Sequence, residues 1–165
     1  CITALTLSGL PTRRFAFEAF LPSDKKERAV VLEELKQETR TIILYEAPHR
    51  LVKTLEELLE KLGDRKISLC RELTKKHETV FRGSLLEAFS WYKENPPKGE
   101  CVMVLAGRSR EEIEQEARQK WEDMPLEEHM EYYMSQGIDK KEAMKLVAKD
   151  RGISKRDVYQ ALLKN

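Results

Sequence analysis

Two short and largely apolar runs constrain the fold most strongly, namely Thr41–Tyr45, which is rich in β-branched residues, and Ile67–Cys70. Each run is too short for a helix, and each is followed at once by charged and polar residues. Between them the apolar residues recur at helical spacing instead, as in the stretch from His49 to Leu62. Strands that alternate with helices of ten or more residues are typical of a layered α/β domain.

Three further segments have the composition of strands. The Phe15–Leu21 segment has aromatic residues at alternate positions, which predicts one well-buried face. The Cys101–Ala106 segment is continuously apolar, as expected for a strand buried on both faces. Thr79–Gly83 follows its predecessor closely, which predicts one antiparallel neighbour. We therefore expect an αβα domain with a mixed sheet of about five strands, covered on both faces.

The composition changes after Gly107, and 108–165 contains no strand candidate. From Glu111 to Glu131 there are nine acidic and two basic residues, a net charge of −7. From Asp139 to Lys164 there are eight basic and four acidic residues, a net charge of +4. Such a switch indicates two different surfaces. The sequence therefore predicts an α/β domain over 1–107 and a helical tail over 108–165.

The last part of the tail, 139–165, has the spacing of a helix-turn-helix. Ala148, Gly152 and Val158 match a small residue where two helices cross, a glycine in the turn and a β-branched residue under the second helix. The same spacing also occurs in three-helix bundles that bind nothing. If the segment binds RNA, the basic residues expected to face outward are Lys155, Arg156 and Lys164.

The overall composition excludes several classes of function. The 30 basic and 29 acidic residues nearly cancel, so no global field marks a nucleic-acid-binding protein. No apolar run approaches the roughly 18 residues that span a bilayer, and the three cysteines are too widely spaced for a disulfide framework. The three histidines lie outside any known zinc signature. We expect a cytoplasmic protein with reduced cysteines, no membrane partner and no metal.

The first candidate site follows the Thr41–Tyr45 run. A carboxylate at a strand end, here Glu46, can accept hydrogen bonds from a ribose, and the turn after it can hold an adenine. His49 and Arg50 would lie at a helix N-terminus, where backbone N–H groups favour anions. The alternative interpretation is an exposed helix cap with a surface ion pair.

The second candidate site follows the Ile67–Cys70 run and places six charged side chains within one loop: Arg71, Glu72, Lys75, Lys76, His77 and Glu78. The cationic groups could hold phosphates while the two carboxylates limit their repulsion. A solvated loop remains the alternative, and the pairing of His77 with a carboxylate does not by itself identify a catalytic base.

Five motifs in order and at characteristic spacing carry a family resemblance: LSGLPT, YEAPHRL, CRELTKKHE, RGSL and GECVMVLAG. The sequence resembles the tetrapyrrole methylase superfamily, and within it the bacterial enzymes that methylate small-subunit ribosomal RNA. The resemblance covers residues 1–107 densely, and the tail is similar to the helix-turn-helix extension of many members.

The resemblance implies a homodimeric enzyme with S-adenosylmethionine in a cleft between two domains. The methyl group would pass to the ribose 2′-hydroxyl of a cytidine in 16S rRNA of the small ribosomal subunit. Tyr45, Glu46 and Ala47 would lie against the adenosyl group. The residues implied to face the same cleft, for the substrate, are His49, Arg50, Arg71, Glu72, Thr74 and Lys75.

The chain begins with Cys1 in the middle of an expected helix, which favours a fragment of a longer protein. Much of the cofactor site would then lie in a preceding domain, so we expect no activity from this chain alone. The catalytic base is not identified. Two alternatives remain open: an RNA- or protein-binding helix-turn-helix module, and a methylase that acts on a tetrapyrrole.

Overall fold

The structure is a computed structural model that describes residues 1–163. The chain divides into two compact units, one over Cys1–Arg108 and a second that begins at Ser109. Within the described residues, no helix combines the length and the apolar character that a crossing of a lipid bilayer requires.

The first unit contains one sheet and four helices. Its strands are β1 (Phe15–Phe20), β2 (Thr41–Glu46), β3 (Lys66–Arg71), β4 (Thr79–Ser84) and β5 (Cys101–Leu105). Its helices are α1 (Ile2–Ser8), α2 (Lys25–Gln37), α3 (Leu51–Leu62) and α4 (Leu85–Glu94), with a 3-10 turn at Pro48–Arg50 before α3. Side chains cap two of them, since Asp24 accepts backbone N–H groups of α2 and Ser84 accepts one of α4.

The sheet has the strand order β1-β2-β5-β3-β4 and is mixed, as the sequence predicts. Only β1 and β2 pair in parallel, and the other three pairings are antiparallel. The expected antiparallel pairing of β4 with its predecessor β3 is confirmed, and β5 is antiparallel to both of its neighbours as well. The direction of β5 follows from the β3–β4 hairpin. It reverses the chain, so that α4 leads back to the edge where β3 ends, and β5 must start from there.

Helices cover both faces of the sheet unequally. One face packs against α2, α3 and α4, and its core includes Ile42, Leu44 and Leu55. The other face packs against α1 through Ile43, with a much smaller cluster of buried residues. Successive residues of β2 alternate between the two faces, as the pleat of a strand requires.

The aromatic residues of β1 are more exposed than expected. Ala16 is buried, whereas the side chains of Phe17 and Phe20 are 47% and 58% exposed. A register shift between Phe17 and Ala19, with a positive φ of 51° at Ala19, interrupts the pairing with β2. The prediction of one well-buried aromatic face is therefore wrong. A bulge in this edge strand breaks the alternation on which the prediction depended.

The second unit is helical throughout its described part. It contains α5 (Arg110–Glu122), α6 (Leu126–Met134), α7 (Lys140–Arg151) and α8 (Lys155–Leu163). At the α7–α8 turn Gly152 has a left-handed conformation, with φ of 64°, and the N–H of Ile153 donates to the carbonyl of Ala148 at 3.0 Å. Ala148 and Val158 share the buried core of this unit. The glycine therefore lies in the turn between α7 and α8, and the helix-turn-helix character of this segment stays a prediction.

Candidate functional site at the edge of the sheet

Both sequence-predicted segments end at the same edge of the sheet. Glu46, the last residue of β2, and Arg71, the last residue of β3, each pair with Cys101, the first residue of β5. Because adjacent strands lie about 4.8 Å apart, the backbones of Glu46 and Arg71 are about 10 Å apart. The structure thus brings the two segments together, with one residue of β5 between them.

Tyr45 lies half-buried on the α1 face of this edge. Its ring meets the rings of Phe17 and Phe20 edge to face, at centroid distances of 5.2 and 5.7 Å. Since both phenylalanines are largely exposed, the three rings form an aromatic surface beside the end of β2. Such a surface can accept a flat apolar ring by stacking or by edge contact.

The Glu46 side chain points to the opposite face and is only 2% exposed. One carboxylate oxygen accepts a hydrogen bond from Thr54 Oγ1 at 2.6 Å, and the other accepts one from the Ala47 N–H at 2.9 Å. Arg50 Nε lies 3.5 Å from the same carboxylate. Both carboxylate oxygens therefore have partners within the domain, and a hydrogen bond from Glu46 to a ribose stays a prediction. The half-buried Tyr45 and Ala47 remain beside it at the surface.

Thr54 extends this contact into a buried polar network that the sequence interpretation missed. Its Oγ1 also accepts a hydrogen bond from Arg28 Nη2 at 2.8 Å, and Arg28 Nε forms an ion pair with Glu57 at 2.6 Å. A signal was present in the sequence, since Thr54 is a polar residue on the leucine-rich face of α3. A buried polar side chain in such a position requires a partner.

His49 and Arg50 belong to the 3-10 turn that follows β2. Arg50 is half-buried, and its Nη1 lies 3.4 Å from Ser23 Oγ. His49 is exposed. Helix α3 begins after both residues, at Leu51, so they precede its first turn rather than forming it.

In the second candidate segment, the Arg71 side chain forms hydrogen bonds with two other parts of the chain. Its Nε donates to Thr79 Oγ1 and its Nη1 donates to the Lys98 carbonyl, each at 3.2 Å. The guanidinium therefore connects β3 to β4 and to the loop that precedes β5. A planar group with several donors suits this bridging role better than an ammonium would.

Glu72 fixes the loop after β3 against the chain before β5. Its N–H donates to the Glu100 carbonyl at 3.2 Å, and its Oε1 accepts from the Glu100 N–H at 3.1 Å. Gly99 makes this approach possible. It has φ of 83°, and a Cβ at that position would lie 2.0 Å from Glu72 Oε1. The positive φ favours glycine, and a Cβ there would displace the Glu72 carboxylate from this contact.

The same loop contains two non-glycine residues with positive φ, Glu72 at 53° and Thr74 at 64°. Each such residue costs on the order of 1–3 kcal/mol and persists only where its surroundings hold it. The Thr74 N–H donates to Glu78 Oε2 at 2.7 Å, and Lys75 Nζ lies 3.2 Å from Glu72 Oε1. These contacts hold the positive-φ backbone of the loop, and residues 74–78 are all exposed to solvent.

Charges within this loop are mutually compensated. Lys75 lies between Glu72 and Glu100, with its Nζ 3.6 Å from Glu100 Oε2. The hydrogen bond between Lys75 and Glu72 lowers the pKa of the Glu72 carboxyl and raises that of the Lys75 ammonium. Lys76 and His77 are exposed at the tip of the loop.

Cys101, the residue between the two segments, is buried. Burial raises the pKa of its thiol to about 11, so the thiolate is scarce at neutral pH. Burial raises the pKa of Cys70 as well. Neither thiol is suited to act as a nucleophile. Among the described residues, no group of three or more histidine, cysteine, aspartate or glutamate side chains is arranged to hold a metal ion.

The basic residues predicted for the tail belong to the second unit. Arg156 is exposed and Lys155 is half-buried, both in the first turn of α8, whereas Lys164 lies outside the described residues. His129 of α6 is fully buried and stacks on Trp121 with ring centroids 4.0 Å apart. Its Nδ1 accepts a hydrogen bond from Arg151 Nε at 3.1 Å, which gives this histidine a structural role.

Three similar proteins found by comparison with known sequences have the same name. A protein named ribosomal RNA small subunit methyltransferase I from Bacillus subtilis is 46% identical over 160 residues, covering 97% of this chain and 54% of the relative. The protein of that name from Halalkalibacterium halodurans is 48% identical and covers 96% and 54% of the two chains. That from Synechocystis is 41% identical and covers 98% and 57%. The chain spans about half the length of these curated relatives.

The family described as Tetrapyrrole (Corrin/Porphyrin) Methylases matches residues 1–88. This match includes the whole of β1 to β4 and both candidate segments after β2 and β3. The resemblance inferred from the sequence motifs is thereby confirmed. Since the match covers more than half of its 165 residues, the chain belongs to the tetrapyrrole methylase family.

Proposed function

We propose that this chain is part of an S-adenosylmethionine-dependent methyltransferase that acts on RNA of the small ribosomal subunit. The observation that carries the proposal is the shared edge at which β2 and β3 end on either side of Cys101. The names and identities of the relatives support the substrate class. By analogy the acceptor is the ribose 2′-hydroxyl of a cytidine, and the enzyme works as a homodimer in the cytoplasm.

The residues of this edge fit an adenosyl group. The aromatic surface of Phe17, Phe20 and Tyr45 offers π-contacts to an adenine. When bound, S-adenosylmethionine supplies an electrophilic methyl group. Glu46 acts indirectly, because its buried carboxylate fixes the turn that carries Ala47.

The loop after β3 would form the other border of the substrate site. Glu72 and Thr74 hold its conformation, and Arg71 anchors it to the strand beside it. Methyl transfer depends chiefly on orientation of donor and acceptor, so a rigid border contributes directly to the rate. Lys75 holds the loop by its contact with Glu72, and the exposed Lys76 and His77 would meet the RNA phosphates.

The decisive experiment is a methylation assay with a protein of the relatives' full length that contains this chain. Small ribosomal subunits and a porphyrinoid are offered in parallel with labelled S-adenosylmethionine. We expect label in the RNA only, at a cytidine whose 3′ phosphodiester resists alkaline hydrolysis. Label in the porphyrinoid would instead support a tetrapyrrole methylase. Calorimetry with the chain alone should show no micromolar binding of S-adenosylmethionine.

A second candidate function rests on the second unit. The α7–α8 pair has the turn of a helix-turn-helix, and α8 exposes Arg156 together with Tyr159, which is 54% exposed. A cationic and aromatic helix face can bind nucleic acid without chemistry. Salt-dependent RNA binding that is lost in the Arg156→Gln variant would support this module function.

A further inference from the structure

Helices α2 and α3 border a groove of about 550 Å³ on the face of the sheet that buries Glu46. Apolar atoms dominate its lining, with Ala29 and Leu32 contributed by α2. A groove of this volume with a largely apolar floor has room for a nucleotide. It lies outside the aromatic surface and outside the loop after β3.

The charged side chains that line the groove are mainly cationic. They are Lys25, Arg28, Arg50, Lys53, Lys61, Glu57 and Glu60, five cationic and two acidic groups with a net charge of +3. Arg28 and Glu57 neutralise each other in an ion pair that is largely buried. Excess positive charge therefore resides on the lysines at the border of the groove.

These lysines are free to meet a ligand. Lys25 and Lys61 are exposed, and the Lys53 side chain is 75% exposed with its Nζ 4.0 Å from Glu57. Contacts of that length between exposed groups contribute little to stability. Three flexible ammonium groups can hold the phosphates of a single-stranded nucleic acid, as the cationic grooves of such binding proteins do. The apolar floor between them offers van der Waals contact to a base.

The groove also reaches the candidate site. Arg50 lines it and belongs to the turn directly after β2, and Ser23 closes the same end at 3.4 Å from Arg50. Thr54, which holds the Glu46 carboxylate, forms part of its wall. A strand lying in the groove would therefore emerge beside Glu46 and Ala47.

We propose that the α2–α3 groove binds a single-stranded segment of the RNA substrate, with phosphates at Lys25, Lys53 and Lys61 and a base over Ala29 and Leu32. The inference rests on the proposed function, because that function makes RNA the ligand. It adds a binding surface beyond the reacting edge, and binding energy gained there can be used to orient the ribose at that edge.

The test measures binding of a short, fluorescently labelled single-stranded RNA to this chain by anisotropy at several salt concentrations. The groove variant carries Lys25→Gln, Lys53→Gln and Lys61→Gln. The matched control carries Lys26→Gln, Lys36→Gln and Lys66→Gln, three exposed lysines that do not line the groove. Both variants lose three positive charges, so they differ only in where the charge is removed.

We expect the groove variant to bind at least about tenfold more weakly and to lose roughly 0.7 from the slope of log K against log salt for each phosphate contact removed. The control variant should bind the RNA with the same affinity and the same salt slope as the unaltered chain. Equal losses in both variants, unchanged binding in the groove variant, or no binding by the unaltered chain would each overturn the proposal. So would loss of all binding in Arg156→Gln, which would assign RNA contact to α8.

The proposed function can fail separately. Failure of the full-length protein to methylate small ribosomal subunits would contradict the methyltransferase assignment. If the groove variant still lost RNA affinity in that case, the groove would remain a binding site for RNA. Circular dichroism of each variant checks that the fold is retained. All six lysines are exposed, so their neutralisation is expected to change stability little.

Discussion

Thr54 Oγ1 donates a 2.6 Å hydrogen bond to the Glu46 carboxylate and accepts one from Arg28 in turn. The pair links the end of β2 to the middle of α3 and is almost completely buried. A buried carboxylate that loses a donor keeps its desolvation cost, so this contact is important for the shape of the candidate site.

We therefore expect Thr54→Val to lower the free energy of unfolding by about 1–3 kcal/mol, because it leaves the Glu46 carboxylate short of a donor. Thr54→Ser retains the hydroxyl and is the matched control, with a smaller loss from one missing methyl group. Urea denaturation monitored by circular dichroism measures both. Equal stability of the valine and serine variants would show that the hydroxyl contributes nothing.

Gly99→Ala should displace the Glu72 side chain from the Glu100 N–H. The added Cβ would lie 2.0 Å from Glu72 Oε1, in addition to the cost of a φ of 83°. Gly63→Ala is the control, since Gly63 has φ of 77° but no atom within 4 Å of the added Cβ. We expect alanine at position 99 to cost about 1 kcal/mol more than at position 63 in chemical denaturation, because the hydrogen bond of Glu72 is lost.

The stability of the second unit should fall in mild acid because of His129. Burial, and then the charge of Arg151, lower the pKa of this histidine below its usual value of 6.5. The unfolded chain therefore takes up a proton at a higher pH than the folded chain does. Stability is fully present above pH 6.5, declines as the pH falls below it, and levels off under the folded pKa.

Two measurements check this prediction. Nuclear magnetic resonance titration of the His129 ring should give a pKa below 6.5. Thermal melting of the unaltered chain should show a loss of stability below pH 6.5 that is smaller in His129→Gln. A His129 pKa at or above 6.5 would contradict the structural role assigned to this ring.

Thiol labelling should distinguish the three cysteines. Cys70 and Cys101 are buried with raised pKa values, whereas Cys1 is half-buried. We expect a maleimide at neutral pH to modify Cys1 rapidly and the other two only after denaturation. Peptide mass spectrometry locates the label. Rapid native modification of Cys101 would mean that the site edge opens in solution.

Much of the fold follows from local patterns in the sequence. The β-branched run Thr41–Tyr45 and the amphipathic segment after it form β2 and α3 because both patterns have a single favourable way to bury their apolar residues. Asp24 and Ser84 cap the expected helices for an equally local reason. The direction of β5 depends on where α4 delivers the chain, which is a tertiary property that a uniformly apolar run does not encode.

The candidate site was only partly predictable. The sequence places Glu46 and Arg71 directly after strands, and the sheet brings those ends to one edge. Which face the Glu46 side chain takes depends on the phase of the pleat in β2, and its burial depends on a partner eight residues away in α3. The groove between α2 and α3 requires the packing of two helices, which the spacing within each helix does not specify.

The chain leaves the sheet edge at Arg71 and returns to it at Cys101, where the two residues pair. The segment between these two residues, which includes β4 and α4, therefore starts and ends at neighbouring positions on the same edge of the sheet. The far end of this segment is the junction of β4 and α4, because Ser84 pairs with Lys66 at the opposite end of β3. A structural change at that junction is separated from both candidate segments by the length of a strand, whereas a change after α4 would act on them directly.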